Sequence, residues 1–186
     1  MGKIHTGATL TPSFRDFLPA WVTRQSWYDG SGSLRPTGFF RFEDPAGEVG
    51  VETHLLHDGE AVYQVPLTYR PGPLEGGALV TTAEHSVLGT RWIYDAVTDP
   101  VWIAAILHLV ATGGASEPSS RNGFEAEARG RLLRPGVDGV VIDLDRRVVP
   151  AGPPEDAVGV VTGSWQQDGA AKSGRLAVLR QTGPNT

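Results

Sequence analysis

No cysteine occurs anywhere in the 186 residues, which excludes disulfides, thiolate metal sites and a cysteine nucleophile and leaves packing to hold the fold. Long apolar runs are missing too. The longest, Val101 to Val110, falls well short of the roughly 20 residues that span a bilayer. The opening MGKIHTGATLTPSF lacks the apolar core of a secretory signal. Cytoplasmic residence is the expectation, with no membrane partner. Cations are outnumbered, 16 Lys+Arg against 21 Asp+Glu for a formal net charge of -5, so there is no basic face to displace phosphate counterions and no nucleic-acid partner is expected.

The familiar chemical motifs are absent as well. There is no phosphate-binding G-x-x-x-x-G-K-[ST], no G-x-S-x-G elbow and no H-E-x-x-H pair. Gly169-Ala170-Ala171-Lys172-Ser173 has the wrong glycines for a phosphate loop, and Gly30-Ser31-Gly32 does not continue into a dinucleotide fingerprint; both read as flexible turns. A metal site would need several of the histidines His5, His54, His57, His85 and His108 to converge with carboxylates such as Glu52, Asp58 and Glu84. His54 and His57 read as a solvated strand end and turn, and His108 as a core or interface histidine bonded to backbone. No metal and no cofactor are expected.

What is present is a chain of short elements. The 24 glycines and 14 prolines favour many turns, and a chain of this length buries roughly 70% of its unfolded surface. Lys3 to Leu10 fits a short strand. Thr11-Pro12 fits a helix start, with Phe14, Phe17, Leu18 and Trp21 on one face and a kink or break expected at Pro19. Gln25 to Gly38 reads as a loop. Phe39 to Phe42 is a strand, Asp44 to Gly47 a turn, and Val49, Val51, Thr53 and Leu55 alternate as the buried face of the next strand. Asp58-Gly59 suggests a type I′ hairpin into Ala61 to Tyr69, where Pro66 predicts an edge strand or a bulge. Leu79 to Thr82 is another strand. Asp99-Pro100 opens an apolar helix, Val101 to Val110, stopped by Gly113-Gly114 and expected to lie between the sheet and the first helix. Four antiparallel strands follow: Phe124 to Leu133, Gly139 to Val149, Ala157 to Trp165 and Gly174 to Gln181. The fold class is α+β, a curved antiparallel β-sheet packed against two main helices with additional C-terminal antiparallel strands.

One stretch gathers chemistry. Glu84, His85, Arg91, Trp92, Tyr94 and Asp95 place an acid, a base, a cation and two aromatics just ahead of the apolar helix, the mixture from which sugar sites are built. The structural alternative is that Trp92 and Tyr94 cover core while Arg91 and Asp95 pair or cap a turn. These residues are the candidate binding set; no catalytic residue is assigned.

The segments RQSWYDGSGS, AVYQVPLTYR and VLGTRWIYDAVTDPVWIAAILHLV resemble the N-terminal cap of actinobacterial maltokinases and of shorter cap-like proteins. The most specific pieces are Tyr63-Gln64-Val65-Pro66-Leu67, Trp92-Ile93-Tyr94-Asp95 and Asp99-Pro100. The resemblance implies a cap-like domain at 1-114, then a linker or flexible loop at 115-123 and a C-terminal antiparallel extension at 124-186. In full-length maltokinases this cap precedes a two-lobed kinase. The chain lacks that kinase's H-G-D element and ATP-binding lobe, and Asp143 and Asp145 read as outward-facing strand residues rather than a metal site. The expected function is therefore a stand-alone, non-catalytic cap-like module, not an enzyme, binding a protein of α-glucan or trehalose metabolism or a sugar. The alternatives are a small sugar-binding or sugar-modifying protein using the Glu84 to Asp95 cluster, and a subunit of a hetero-oligomeric enzyme.

Overall fold

The computed structural model describes residues 7–118, 125–136, 139–149 and 152–182. The expected strand start at Lys3, His5 and residues 119–123 of the expected linker lie outside them. The chain forms β1 (Leu10–Thr11), α1 (Phe14–Val22), β2 (Arg35–Phe42), β3 (Gly50–His57), β4 (Val62–Arg70), β5 (Ala78–His85), β6 (Gly89–Asp95), a single 3₁₀ turn at Ala96–Thr98, α2 (Pro100–Thr112), β7 (Glu117–Pro118), β8 (Ala126–Leu132), β9 (Val140–Val149), β10 (Gly159–Gln167) and β11 (Ala170–Gln181). The strands run in the order β1-β5-β6-β4-β9-β11-β10-β8, with β3 and then β2 branching from β4. Every ladder between strands is antiparallel. The architecture is α+β, a sheet with two helices that is not closed into a barrel. Among the described residues no helix is long and apolar enough to cross a membrane.

The two helices sit on opposite faces of β3 and β4. Leu18, Trp21 and Val22 of α1 pack with Leu56, Val65, Leu67 and Ile93, while Trp102, Ile106, Leu109 and Val110 of α2 pack with Phe40, Val51, Leu55, Ala128, Val161 and Leu176. This corrects the expectation that α2 is pressed between sheet and first helix. Strands from both halves of the chain instead pack against one side of it, and Ala104, His108 and Ala111 stay exposed on the other. Glycine makes that approach possible: a Cβ at Gly130 would run into the Leu109 carbonyl, and one at Gly159 into the Val110 side chain. With α1 and α2 on either side, β3 buries both faces from Thr53 to Leu56, not the single face its alternation suggested.

Several expectations shift for local reasons. Ser13, not Thr11, caps α1: its amide and hydroxyl both donate to the Asp16 carboxylate at 2.8 Å, forming a capping box that the S-x-x-D spacing encodes. Pro19 sits inside α1 without ending it. A proline removes one backbone donor, and the buried Leu18, Trp21 and Val22 around it hold the turn to the sheet. The expected loop through Gly38 ends sooner, because β2 begins at Arg35. Asp58-Gly59 is not a type I′ turn. Only Gly59 has positive φ, and the Asp58 carboxylate instead accepts the Glu60 and Ala61 amides at 3.0 and 2.9 Å. β4 is neither an edge nor bulged against β3. Pro66 falls where its other neighbour changes, from β6 at Leu67 to β9 at Tyr63, so the missing donor coincides with a gap between partners.

Candidate functional site

Trp27, Asp29, Tyr63, Gln64 and Asp95 meet at one junction, where the loop after α1 and strands β4 and β6 receive β9. The Arg146 guanidinium lies 4.9 Å from the Trp27 ring centroid and pairs with Asp95. Arg147 pairs with Asp29 at 2.7 Å, and the Tyr63 hydroxyl donates to the same carboxylate at 2.6 Å. Gln64 uses its buried amide nitrogen to donate to the carbonyls of Asp145 and Leu176. A bulge in β9 enables this. Between the pairs Arg175–Val149 and Ala177–Leu144, β9 spends more residues than β11, which re-aims its arginines towards the loop.

The electrostatics follow from burial and partners. Burial pushes Asp95 above the ordinary carboxylate value, against the pull of Arg146. Asp29 is held low, chiefly by the Tyr63 hydroxyl and then by Arg147, while burial and that same carboxylate drive the Tyr63 phenol far upward. Beside this junction Asp99 is fully buried. It accepts a two-pronged contact from Arg70, both at 2.7 Å, and caps α2 by accepting the Val101 amide at 2.9 Å. Burial opposes its charge, but Arg70 and the helix amide outweigh burial and keep Asp99 low. Asp44 behaves alike: burial is outweighed by the amides of Val49, Ala46 and Glu48.

The candidate set is divided by the pleat. In the β5–β6 hairpin Glu84 lies opposite Thr90, Ala83 opposite Arg91, Thr82 opposite Trp92 and Leu79 opposite Tyr94. Arg91 and Asp95 therefore share the face of Ile93 that packs against α1, whereas Glu84, Trp92 and Tyr94 share the other. On that second face Glu84 is exposed and accepts from the Thr90 hydroxyl at 2.5 Å, Trp92 is half-buried, and Tyr94 is buried with its oxygen accepting the Leu74 amide at 2.8 Å. His85 caps the hairpin, its Nδ1 accepting the Val87 and Leu88 amides at 3.2 and 3.1 Å. Arg91 donates to the Leu88 carbonyl at 2.7 Å. Trp92 and Glu84 are thus brought to one surface; Arg91 and Asp95 are not.

One cluster escaped the sequence reading. His54 is buried, not solvated, because α1 covers this face of β3. Its ring lies between Phe14 at 4.9 Å and Phe39 at 5.9 Å, its Nε2 is 3.2 Å from the Tyr69 hydroxyl, and Glu52 is 3.5 Å away. Burial raises Glu52, but His54 outweighs it and the carboxylate stays low. Burial, and then Glu52, push Tyr69 well up. The alternation of Glu52, His54 and Leu56 could have signalled a second buried face only through the apolar face of α1. The adjacent groove of about 260 Å³ is lined by Phe14, Arg15, Pro19, Leu34, Pro36 and Leu56, not by His54. His108 is exposed on α2 and so is not a core histidine of this chain.

Asp143 and Asp145 are engaged with β11. Both oxygens of Asp145 accept from Arg175, at 2.7 and 3.1 Å, and Asp143 pairs with Arg180, which also holds Asp156 at 2.8 Å. Among the described residues no group of His, Asp and Glu is arranged to hold a metal ion.

Residues 21–99 match the family model of the maltokinase N-terminal cap domain. The match is to a cap and not to a kinase catalytic domain. No curated protein matches the chain.

Proposed function

We propose that this maltokinase-cap-like chain acts by binding rather than by catalysis, as a partner or regulator in α-glucan, trehalose or sugar-phosphate metabolism. The observation that carries the reading is the fate of the motif residues. Trp27, Asp29, Gln64, Asp95 and Asp99 engage the chain's own Arg146, Arg147, Arg70 and backbone, and Tyr63 donates to Asp29, where a reacting group has to be free to meet substrate. Asp143 and Asp145, the nearest approach to a kinase metal pair, are neutralised by arginines, whereas phosphoryl transfer needs carboxylates that hold magnesium. A coupled assay with ATP and maltose, glucose or glucosamine is expected to stay at background. Turnover that disappears in Asp143→Ala overturns the proposal.

A second reading has one specific support, the half-buried Trp92 beside the exposed Glu84 on an outward sheet face. An aromatic face with a carboxylate at its rim suits a sugar. Calorimetric titration with maltose, trehalose and maltooligosaccharides tests it, and silence at millimolar concentration removes it.

A further inference from the structure

The two ends of the strand path are treated differently. At the β8 end the edge is occupied: Ser116 donates its amide to the Ala128 carbonyl at 2.8 Å and accepts the Ala128 amide on its hydroxyl at 2.8 Å, and the Gly130 amide reaches the Gly114 carbonyl at 3.0 Å. Glu127, Arg129 and Arg131 add charge there. At the other end β1 pairs with β5 only at Glu84 and His85. Among the described residues nothing pairs with the outer edge of β5 from Ala78 to Ala83, a stretch reading ALVTTA with no charge and no proline. Unpaired edges of this kind recruit another strand.

We infer that this edge pairs with the same edge of a second copy, antiparallel about a two-fold axis perpendicular to the sheet. The argument for a copy rather than any extended peptide comes from a bulge. Against β6 the register slips between Leu79 and Thr81, so Val80 and Thr81 both lie on the α1 side, where Val80 packs, and Leu79 and Thr82 both point outward, exposed. Directly opposed residues of an antiparallel pair must share a face. With Ala78 opposite Ala83, Leu79 opposite Thr82 and Val80 opposite Thr81 of the copy, every pair does. A shift by one residue breaks the match, placing outward Leu79 against inward Ala83. The kink is met by an identical kink, which a regular strand does not supply.

The surroundings fit the same register. Chain on either side of the stretch would collide with β1 of the copy unless it turned away, and it does: Gly76 has positive φ and the Gly77 amide closes a turn onto the Leu74 carbonyl at 3.1 Å. The outer edge of Glu84 is already taken by Thr11 of its own chain, so the new ladder stops at Ala83 and opposes no like charges. The interface is isologous and closes on itself.

Sedimentation velocity or light scattering across a concentration series tests this, with the mass expected to rise from 19.8 kDa towards twice that value. L79K/T82K and L79E/T82E each oppose like charges twice, and each is expected to weaken self-association about tenfold or more. Mixing the two is expected to restore the dimer as a heterodimer. Circular dichroism checks that both variants fold, as the exposure of Leu79 and Thr82 leads us to expect. Should either fail, amide exchange on the wild type still decides: protection at 78–83 must rise with concentration. A wild type that stays at the monomer mass, a dimer unmoved by both variants, or exchange that ignores concentration overturns the inference.

Discussion

The β9 junction and the β5–β6 hairpin hold much the same residue types, and the structure uses them in opposite ways. At the junction arginine, aspartate, tryptophan and tyrosine come from segments far apart in sequence and pair with one another, as with Arg146 and Asp95 or Tyr63 and Asp29, even though Oδ1 of Asp95 is left buried without a hydrogen bond. In the hairpin Glu84, His85 and Arg91 bond to neighbours within their own turn, and Leu79, Val87 and Leu88 stay exposed. Long-range polar contacts tie elements together. Local ones leave a surface open for something else. A cluster of chemically capable residues in sequence therefore points to a site only when its partners are local.

The sharpest way to break that contrast is to remove a junction group with no substitute. Asp99→Ala strips Arg70 of its buried partner and α2 of its cap, and is expected to cost about 3–5 kcal/mol in denaturant unfolding. Asp99→Asn keeps an acceptor for the Val101 amide and is expected to recover part of the loss. Equal losses from both substitutions would place the whole effect on the charge and none on the cap.

Arg146→Ala comes next, at about 3 kcal/mol near neutral pH, and it carries a pH signature. The Asp95 pKa is already raised by burial, so the folded state holds that proton better than the unfolded state does. Such a group costs stability above its folded pKa and gives it back as pH falls through that value towards the ordinary 3.8. Without Arg146 the effect grows, and the deficit of the variant is expected to shrink as pH is lowered from neutral. Asp99 and Asp44, held low, act with the opposite sign: their contribution is complete above the ordinary carboxylate value and is lost as pH falls through their folded values. Wild-type stability is thus expected to decline in acid while the gap between wild type and Arg146→Ala narrows. A gap independent of pH would mean that Arg146 stabilises through the Trp27 ring and not through Asp95.

Much of the fold was legible because alternation and turn chemistry are local. The strands through Val49 to Leu55, Ala61 to Tyr69 and the C-terminal half fall close to where their apolar spacing and their Gly, Pro and Asp breaks put them. The α2 boundaries follow from Asp99-Pro100 and Gly113. What stayed hidden depends on partners distant in sequence. His54 reads as solvated until α1 is laid over it. Arg146 and Arg147 read as two more strand residues, because nothing near them announces a bulge in β9 or a tryptophan that comes to lie beneath one of them. Of the candidate site, the pleat puts Trp92 and Tyr94 on one face of β6, and only the β5–β6 register brings Glu84 to that face. The diversion of Asp95 and Arg91 to the other face was visible in the same alternation, but the compactness of the cluster in sequence obscured it.

The smallest effect belongs to the hairpin and sharpens the comparison from the other side. Trp92 is half-buried, between Thr82 on β5 and Arg70 on β4, so Trp92→Ala forfeits only part of a large side chain's burial, about 1–2 kcal/mol. Trp102→Ala, by contrast, empties the core around α2 and is expected to cost about 3–5 kcal/mol. The expected outcome is a folded Trp92→Ala protein whose thermal midpoint drops by much less than that of Trp102→Ala. If the outward face is a sugar surface, the same variant also loses its calorimetric signal with maltooligosaccharides while its fold persists. A loss as large as that at Trp102 would show that the hairpin is as tightly built in as the junction, and the distinction between the two regions would fall.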